Sequence, residues 1–255
     1  MRILVGCCGL AGLKWESYEA AFDVIELQQA FYKLPRPSTA ARWRARAPSL
    51  TISLKAFQGI THPLSSPTWR RAGAQRPREA PEAYGHLRPT EQVFALWEKV
   101  GELAKALQAK AILLQLPPSF ELNEENLANM KAFLGSISRP AALALELRHA
   151  SWLADRSRLG SLLSELRVTH VVDPLSMKPA HIERLAYYRL HGAGWPGPRL
   201  DYRHVYAEEE LRRALELVAA YGGEEALVLF NNLRMRSDAA RFKQLLMALP
   251  SSPPA

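Results

Sequence analysis

The 255-residue chain is predicted to fold as a TIM-type (β/α)8 parallel barrel, a single domain over residues 1–249. Three observations lead there. Eight short apolar runs alternate with amphipathic stretches, and 255 residues is a usual length for such a barrel. No GxxxxGK(S/T) occurs, which removes one nucleotide-binding reason to prefer the alternative, a doubly wound open sheet.

The candidate strands are ILVGC (3–7), VIEL (24–27), TISLKA (51–56), AILLQL (111–116), ALALELR (142–148), VTHVVD (168–173), AYYRLH (186–191) and ALVLFNN (226–232). The clearest helix is TEQVFALWEKVGELAKALQ. Thr90 can cap it, and Val93, Leu96, Trp97, Val100, Leu103, Ala104 and Leu107 recur on one face. Further helical patterns are STAARWRARA, NEENLANMKAFLGSI, DRSRLGSLLSEL, AEEELRRALELVAAY and SDAARFKQLLMAL. The helix after the first strand, Lys14 to Ala21, is short, and the one near Pro179 to Arg184 is barely a turn.

Residues 57–89 carry no convincing regular element. A loop of that length in a compact domain tends to be a lid or a binding segment, and after a barrel strand it lies over the active face. It holds Trp69, Tyr84, His62 and five arginines (Arg70, Arg71, Arg76, Arg78, Arg88) against Glu79 and Glu82. Residues 250–255 read as a frayed tail.

The composition, 48% hydrophobic and 23% charged, is that of an ordinary globular protein. No apolar run reaches the roughly 18 residues a bilayer span needs, and the apolar start is soon interrupted by Lys14 and Glu16, so a cytoplasmic, membrane-free protein is expected. Cys7 and Cys8 are adjacent and unsuited to a zinc site; they are expected to be reduced thiols. The net charge of +8 favours anionic partners, and also suits a merely basic protein.

Side chains alternate between the two faces of a strand, and in a barrel one face meets the helices while the other looks inward. Leu143, Leu145 and Leu147 share one parity, which sends Ala144, Glu146 and Arg148 inside. The same argument turns Glu26 and Gln28, Ser53 and Lys55, Gln115, and Arg189 and His191 inward. Asp173 is in phase with Thr169 and Val171, and Asn232 with Val228 and Phe230. These polar residues gather toward the C-terminal strand ends, where barrel enzymes place their sites.

Their charges nearly cancel, so pairing is expected whatever the role, and a structural ion-pair network filling the mouth is the alternative to a site. As a site, Lys55, Arg148 and Arg189 clamp an anion, with Gln28, Tyr32, Gln115, Asn232 and Trp69 as further contacts. Glu26, Glu146 or Asp173 serves as a general base, and His191 or His62 exchanges protons near neutral pH. No cofactor is predicted. Carboxylates plus His191 suit a divalent metal, as in some sugar-isomerase and endonuclease barrels, but three nearby cations oppose it, so no metal ligand is assigned. The segment RWRAR (42–46) reads as a solvated helix face, whereas Trp69, Arg70 and Arg71 are better placed for phosphate contact or base stacking.

Laid in order, six segments resemble one family, the domain of unknown function 72 or YecE-like proteins. They are VIELQQAFYKLP (a variant of V-E-x-N-x-x-F-Y-x-L-P), LKAFQGITH, QLPPSF, ELRHASW (E-x-R-x-x-S-W), YYRLHG and VLFNN. The resemblance spans nearly the whole chain and implies a TIM-type barrel; it brings no reaction with it. Gln28 stands where many members have asparagine, and GCCGLAGLKW lacks the aromatic residue of the usual first loop.

The expected function is therefore acid/base chemistry, hydrolysis or isomerisation, on a small anionic, phosphorylated or sugar-like substrate. The alternatives are a nucleic-acid-binding or processing protein using the basic loop 57–89, and a non-enzymatic small-ligand sensor. The oligomeric state is not legible.

Overall fold

The computed structural model describes residues 1–196 and 200–248. Eight strands run β1 (Arg2–Cys7), β2 (Val24–Leu27), β3 (Thr51–Lys55), β4 (Ala111–Gln115), β5 (Ala142–Glu146), β6 (Thr169–His170), β7 (Leu185–Leu190) and β8 (Glu225–Phe230). Each pairs in parallel with its neighbours, in the order β6-β5-β4-β3-β2-β1-β8-β7. β1 against β8 joins the first strand to the last, which a doubly wound sheet does not do. Val172 bridges to Tyr188, and Arg189 N donates to the Val172 carbonyl at 3.0 Å, so the remaining edges meet and the sheet is nearly closed. No helix among the described residues is long and apolar enough to cross a membrane.

The alternation is as expected. Leu113, Ala144, Val171, Tyr187, Leu227 and Leu229 pack together inside the barrel, while Ile112, Leu145, Tyr188, Val228 and Phe230 join the larger core under the helices. Cys7 faces the helix layer and Cys8 the interior, so the two buried thiols point apart.

Helix 91–107 starts where Thr90 Oγ1 accepts from Val93 N at 3.3 Å, and it buries Val93, Trp97, Val100, Leu103, Ala104 and Leu107. Asn123 and Asp155 cap the helices 124–136 and 156–165 in the same way. Helix 208–221 is started by Glu210, whose carboxylate accepts from Ala207 N at 2.8 Å.

Two elements differ from expectation. β6 is two residues long rather than six, and the segment after it is irregular, held by His170 N to the His181 carbonyl and by Ala180 N to His170 Nδ1. The loop 57–89 does contain regular structure: a helical turn at Gln58–Thr61 and 3-10 turns at Pro67–Arg71, Gly73–Gln75 and Pro81–Ala83. Ile60, Leu64, Trp69 and Leu87 bury themselves beneath it, and Gly85 N and Leu87 N bond back to the Gly59 and Ile60 carbonyls. Turns of three to five residues are too short to show periodicity. The expected tail, 250–255, lies outside the described residues.

Between β1 and β2 a hydroxyl takes a place in the ladder. Tyr18 Oη accepts from Cys7 N at 2.7 Å and donates to the Val24 carbonyl at 2.9 Å. Gly6 makes this possible, because a Cβ there would lie 1.7 Å from the Val24 carbonyl oxygen. Gly6→Ala must part the strands, and urea unfolding should show a loss of about 2–3 kcal/mol; a change below about 0.5 kcal/mol, ordinary for a surface position, would contradict this packing.

Candidate active site

Lys55, Gln115 and Glu146 are each the last residue of an inward-facing strand register, and Arg189 is the penultimate residue of β7. Short strands with a period of two thus deliver four polar groups to the C-terminal end of the barrel. Arg189 is the centre of what they build. It is 0% exposed and donates to Glu26 Oε1 (3.0 Å), Gln115 Oε1 (3.1 Å), His191 Nε2 (3.2 Å) and, more closely, Glu146 Oε2.

Both carboxylates are fully engaged. Glu26 accepts from Tyr187 Oη at 2.7 Å and from Gln28 Nε2; Tyr187, having given its proton, accepts from Ser53 Oγ at 2.7 Å. Glu146 Oε1 accepts from Arg148 Nε at 2.6 Å and from Trp195 Nε1 at 3.5 Å. Burial alone would raise the Glu146 pKa, but the Arg148 and Arg189 guanidiniums hold it well below the usual carboxylate range. It is a permanent counter-ion.

His191 is likewise committed. Its Nδ1–H donates to the Arg189 carbonyl at 2.8 Å, which leaves Nε2 bare to accept from Arg148 (3.1 Å) and Arg189 (3.2 Å). Burial and two guanidiniums push its pKa well below the ordinary histidine value, although Glu146 pulls the other way. A proton on Nε2 would forfeit both arginine bonds, so the ring orients cations rather than exchanging protons.

Two anions, Glu26 and Glu146, match two cations, Arg189 and Arg148, and Lys55 is left over. Its Nζ donates to Gln115 Oε1 at 2.9 Å and lies 3.9 Å from the centre of the Phe31 ring. Burial first, then the neighbouring Arg189, lower its pKa to about 7. A residue that reads as a fixed cation is thus an amine that gives up its proton near neutral pH.

Lys55 opens on a cavity of about 530 Å³ walled by Gln28, Phe31, Gln115 and Arg148, with Tyr32, Arg71, Tyr202 and Leu233 at its rim. Arg148 keeps 12% of its side chain exposed there, and the Arg71 guanidinium stands 5.1 Å over the Tyr32 ring.

Eight of the expected residues form one network: Glu26, Gln28, Lys55, Gln115, Glu146, Arg148, Arg189 and His191. Others are placed differently. Asp173 turns its carboxylate to the backbone N–H groups of Leu175 (3.0 Å) and His191 (3.2 Å), anchoring two loops; burial, against those bonds, raises its pKa to about 7. Asn232 has the helix-facing parity of Val228 and Phe230, and its amide donates to Asp238 (2.7 Å) and the His204 carbonyl (3.0 Å) at the cavity edge. His62 is buried edge-on to Phe31 with Nδ1 paired to Thr61, and burial lowers its pKa well below the ordinary value.

Trp69 does not reach the mouth as expected: it is 1% exposed, edge-on to Phe57, with its indole N–H bonded to the Pro63 carbonyl at 3.0 Å. Of the loop arginines, Arg76 and Arg88 bond backbone carbonyls within the loop, and Arg71 alone of the five lines the described cavity. Among the described residues no group of three or more His, Cys, Asp or Glu side chains is placed to hold a metal ion, and the two mouth carboxylates are separated by a guanidinium.

Sequence reasoning gave no role to Tyr187, Trp195 or Phe31, whereas Arg71, singled out with Trp69 and Arg70 for phosphate contact, does line the cavity. Tyr187 shares the parity of Arg189 and was legible by that rule. Trp195 lies in an irregular segment after β7, where no period exists to be read.

Eight parallel strands with a charged, cavity-bearing C-terminal mouth define a TIM-type barrel protein. Within that class the chain belongs to the DUF72 family, whose model, described as a protein of unknown function, matches residues 11–254. A curated relative, the UPF0759 protein YunF of Bacillus subtilis, is 24% identical over 266 residues, 92% of this chain and 86% of that protein. The crystal structure of a DUF72 family protein from Enterococcus faecalis superposes with a TM-score of 0.74 at 19% identity, covering 99% of both chains. A xylose isomerase domain protein from Planctomyces limnophilus has the same fold, with a TM-score of 0.57 at 15% identity over 95% of both chains.

Proposed function

We propose that the mouth binds a small anionic, sugar-like or phosphorylated substrate and that Lys55 carries the proton transfer on it. The observation behind this reading is a buried amine, bonded to Gln115 rather than to a carboxylate, on a cavity shared with Arg148; burial and the neighbouring Arg189 lower its pKa to about 7. A group whose pKa sits near the working pH is the most effective proton shuttle, and a carboxylate pinned by two guanidiniums is a poor one. Arg148 and Arg71 hold the anion; Glu26, Glu146 and His191 position the cations around it. The sugar isomerase name carried by a neighbour of the same fold accords with a sugar-like substrate.

The test is a screen of the purified protein against sugar phosphates and phosphoesters, followed by pH profiles. Turnover should rise through about pH 7 as Lys55 loses its proton, and Lys55→Met should lower it at least ~100-fold. The same variant should be more stable than the parent at pH 6. Below pH 7 the buried amine is protonated and costs stability, a cost that fades as pH rises from 7 toward 10.5. Turnover that survives Lys55→Met and Arg148→Met together removes the assignment. Binding without turnover points to a sensor, and salt-steep binding of oligonucleotides, with none of sugar phosphates, points to nucleic acid.

A further inference from the structure

We propose that Lys55 is a nucleophile, forming an imine with the carbonyl group of a small anionic aldehyde or ketone held in the mouth. This rests on reading the mouth as an anion site and names its reaction class.

The geometry favours attack by nitrogen. Lys55 is 5% exposed, its Nζ has one acceptor, Gln115 Oε1, and the Phe31 ring lies beneath it at 3.9 Å. The charged groups that face it are Arg189, Glu26, Arg148 and Glu146, and the carboxylates among them are taken up by arginines. Among the described residues nothing near the amine therefore holds its proton by a direct ion pair, and an amine desolvated beside another cation is one of the known ways to activate a lysine. The pKa of about 7 agrees with this. Cys8, another nucleophile facing the interior, is buried beneath Arg189 at 3.7 Å, and burial raises its pKa far above the ordinary thiol value.

The step balances without a co-reactant. The neutral Nζ lone pair attacks the carbonyl carbon, the C–N bond forms and the carbonyl π pair moves to oxygen, which takes up the first of the two Nζ protons. The second Nζ proton joins that oxygen as the C–O bond breaks, so one water leaves and the imine remains. Arg148, reaching the cavity from beside Glu146, is placed to hold the substrate's anionic group while Lys55 meets its carbonyl.

The experiment uses the full-length protein with dihydroxyacetone phosphate, and separately pyruvate, in the presence of cyanoborohydride, which reduces an imine to a stable amine. Peptide mass mapping should find one saturable adduct on Lys55, lost completely in Lys55→Arg. In the unsubstituted protein the trapping rate should rise through about pH 7, well below the 10.5 of an ordinary lysine, so the result does not depend on how the variant folds. Calorimetric titration of each ketone, without reductant, reads binding separately. A ketone that binds and leaves Lys55 unmodified overturns the imine and leaves the anion site standing. Labelling spread over surface lysines overturns it also, and the absence of both binding and adduct overturns both readings.

Discussion

Arg189→Met lowers the unfolding free energy by about 3–5 kcal/mol, the loss expected when one partner of a buried pair is removed. Urea unfolding followed by tryptophan fluorescence checks it. The size follows from what stays behind: Glu26 and Glu146, both 0% exposed, lose the guanidinium that lies between them. Converting Glu26 to its amide on the same background, Glu26→Gln, should recover much of the loss, because Glu146 keeps Arg148 as its partner and the uncompensated charge is then gone. If Arg189→Met alone costs under about 1 kcal/mol, the range of an exposed pair, the interior is wetter than the contacts imply.

Stability also falls steeply in mild acid. Burial holds His62, His170 and His191 neutral, His170 down to about 3, so the folded chain leaves them unprotonated where the unfolded chain takes protons up near 6.5. The unfolded state therefore binds more protons as pH drops through 6.5, and stability declines by roughly 1.4 kcal/mol per pH unit for each histidine. Asp173 works in the opposite sense: with its pKa raised to about 7 it holds a proton in the folded state that the unfolded state releases down to 3.8. Three uptakes against one release leave a net decline of roughly 3 kcal/mol per pH unit between about pH 6 and 5. Urea midpoints at pH 7, 6 and 5 measure it directly. A flat profile over that range is incompatible with three buried neutral rings.

What could be read in advance was what covalent geometry dictates. Leu143, Leu145 and Leu147 fix the parity of their strand, so the inward direction of Glu146 and Arg148 followed before any packing was known. Thr90 announced its helix because a hydroxyl before an apolar stripe has one local use. Roles were less legible, because they depend on partners from distant strands. Lys55 reads as a charge clamp until Arg189, 134 residues later, is set beside it. His191 reads as a proton carrier until two arginines occupy its free nitrogen. Trp69 was misplaced for a different reason: its loop buries a small core of its own, built from turns too short to leave a pattern. Asn232 was misread in its face rather than its parity, since Val228 and Phe230, with which it is in phase, meet the helices while Leu227 and Leu229 fill the interior.

The opposed directions of Cys7 and Cys8 have a practical side. Both thiols are enclosed, one under the helices and one in the barrel, and burial pushes Cys7 up to about 12 and Cys8 well above its ordinary value. Thiolate is the reactive form, so neither competes for a maleimide near neutral pH. The chain therefore comes ready for single-site dye attachment: a cysteine introduced at Leu233, 74% exposed on the cavity rim, would be labelled alone and would report, by its emission, when a molecule enters the mouth.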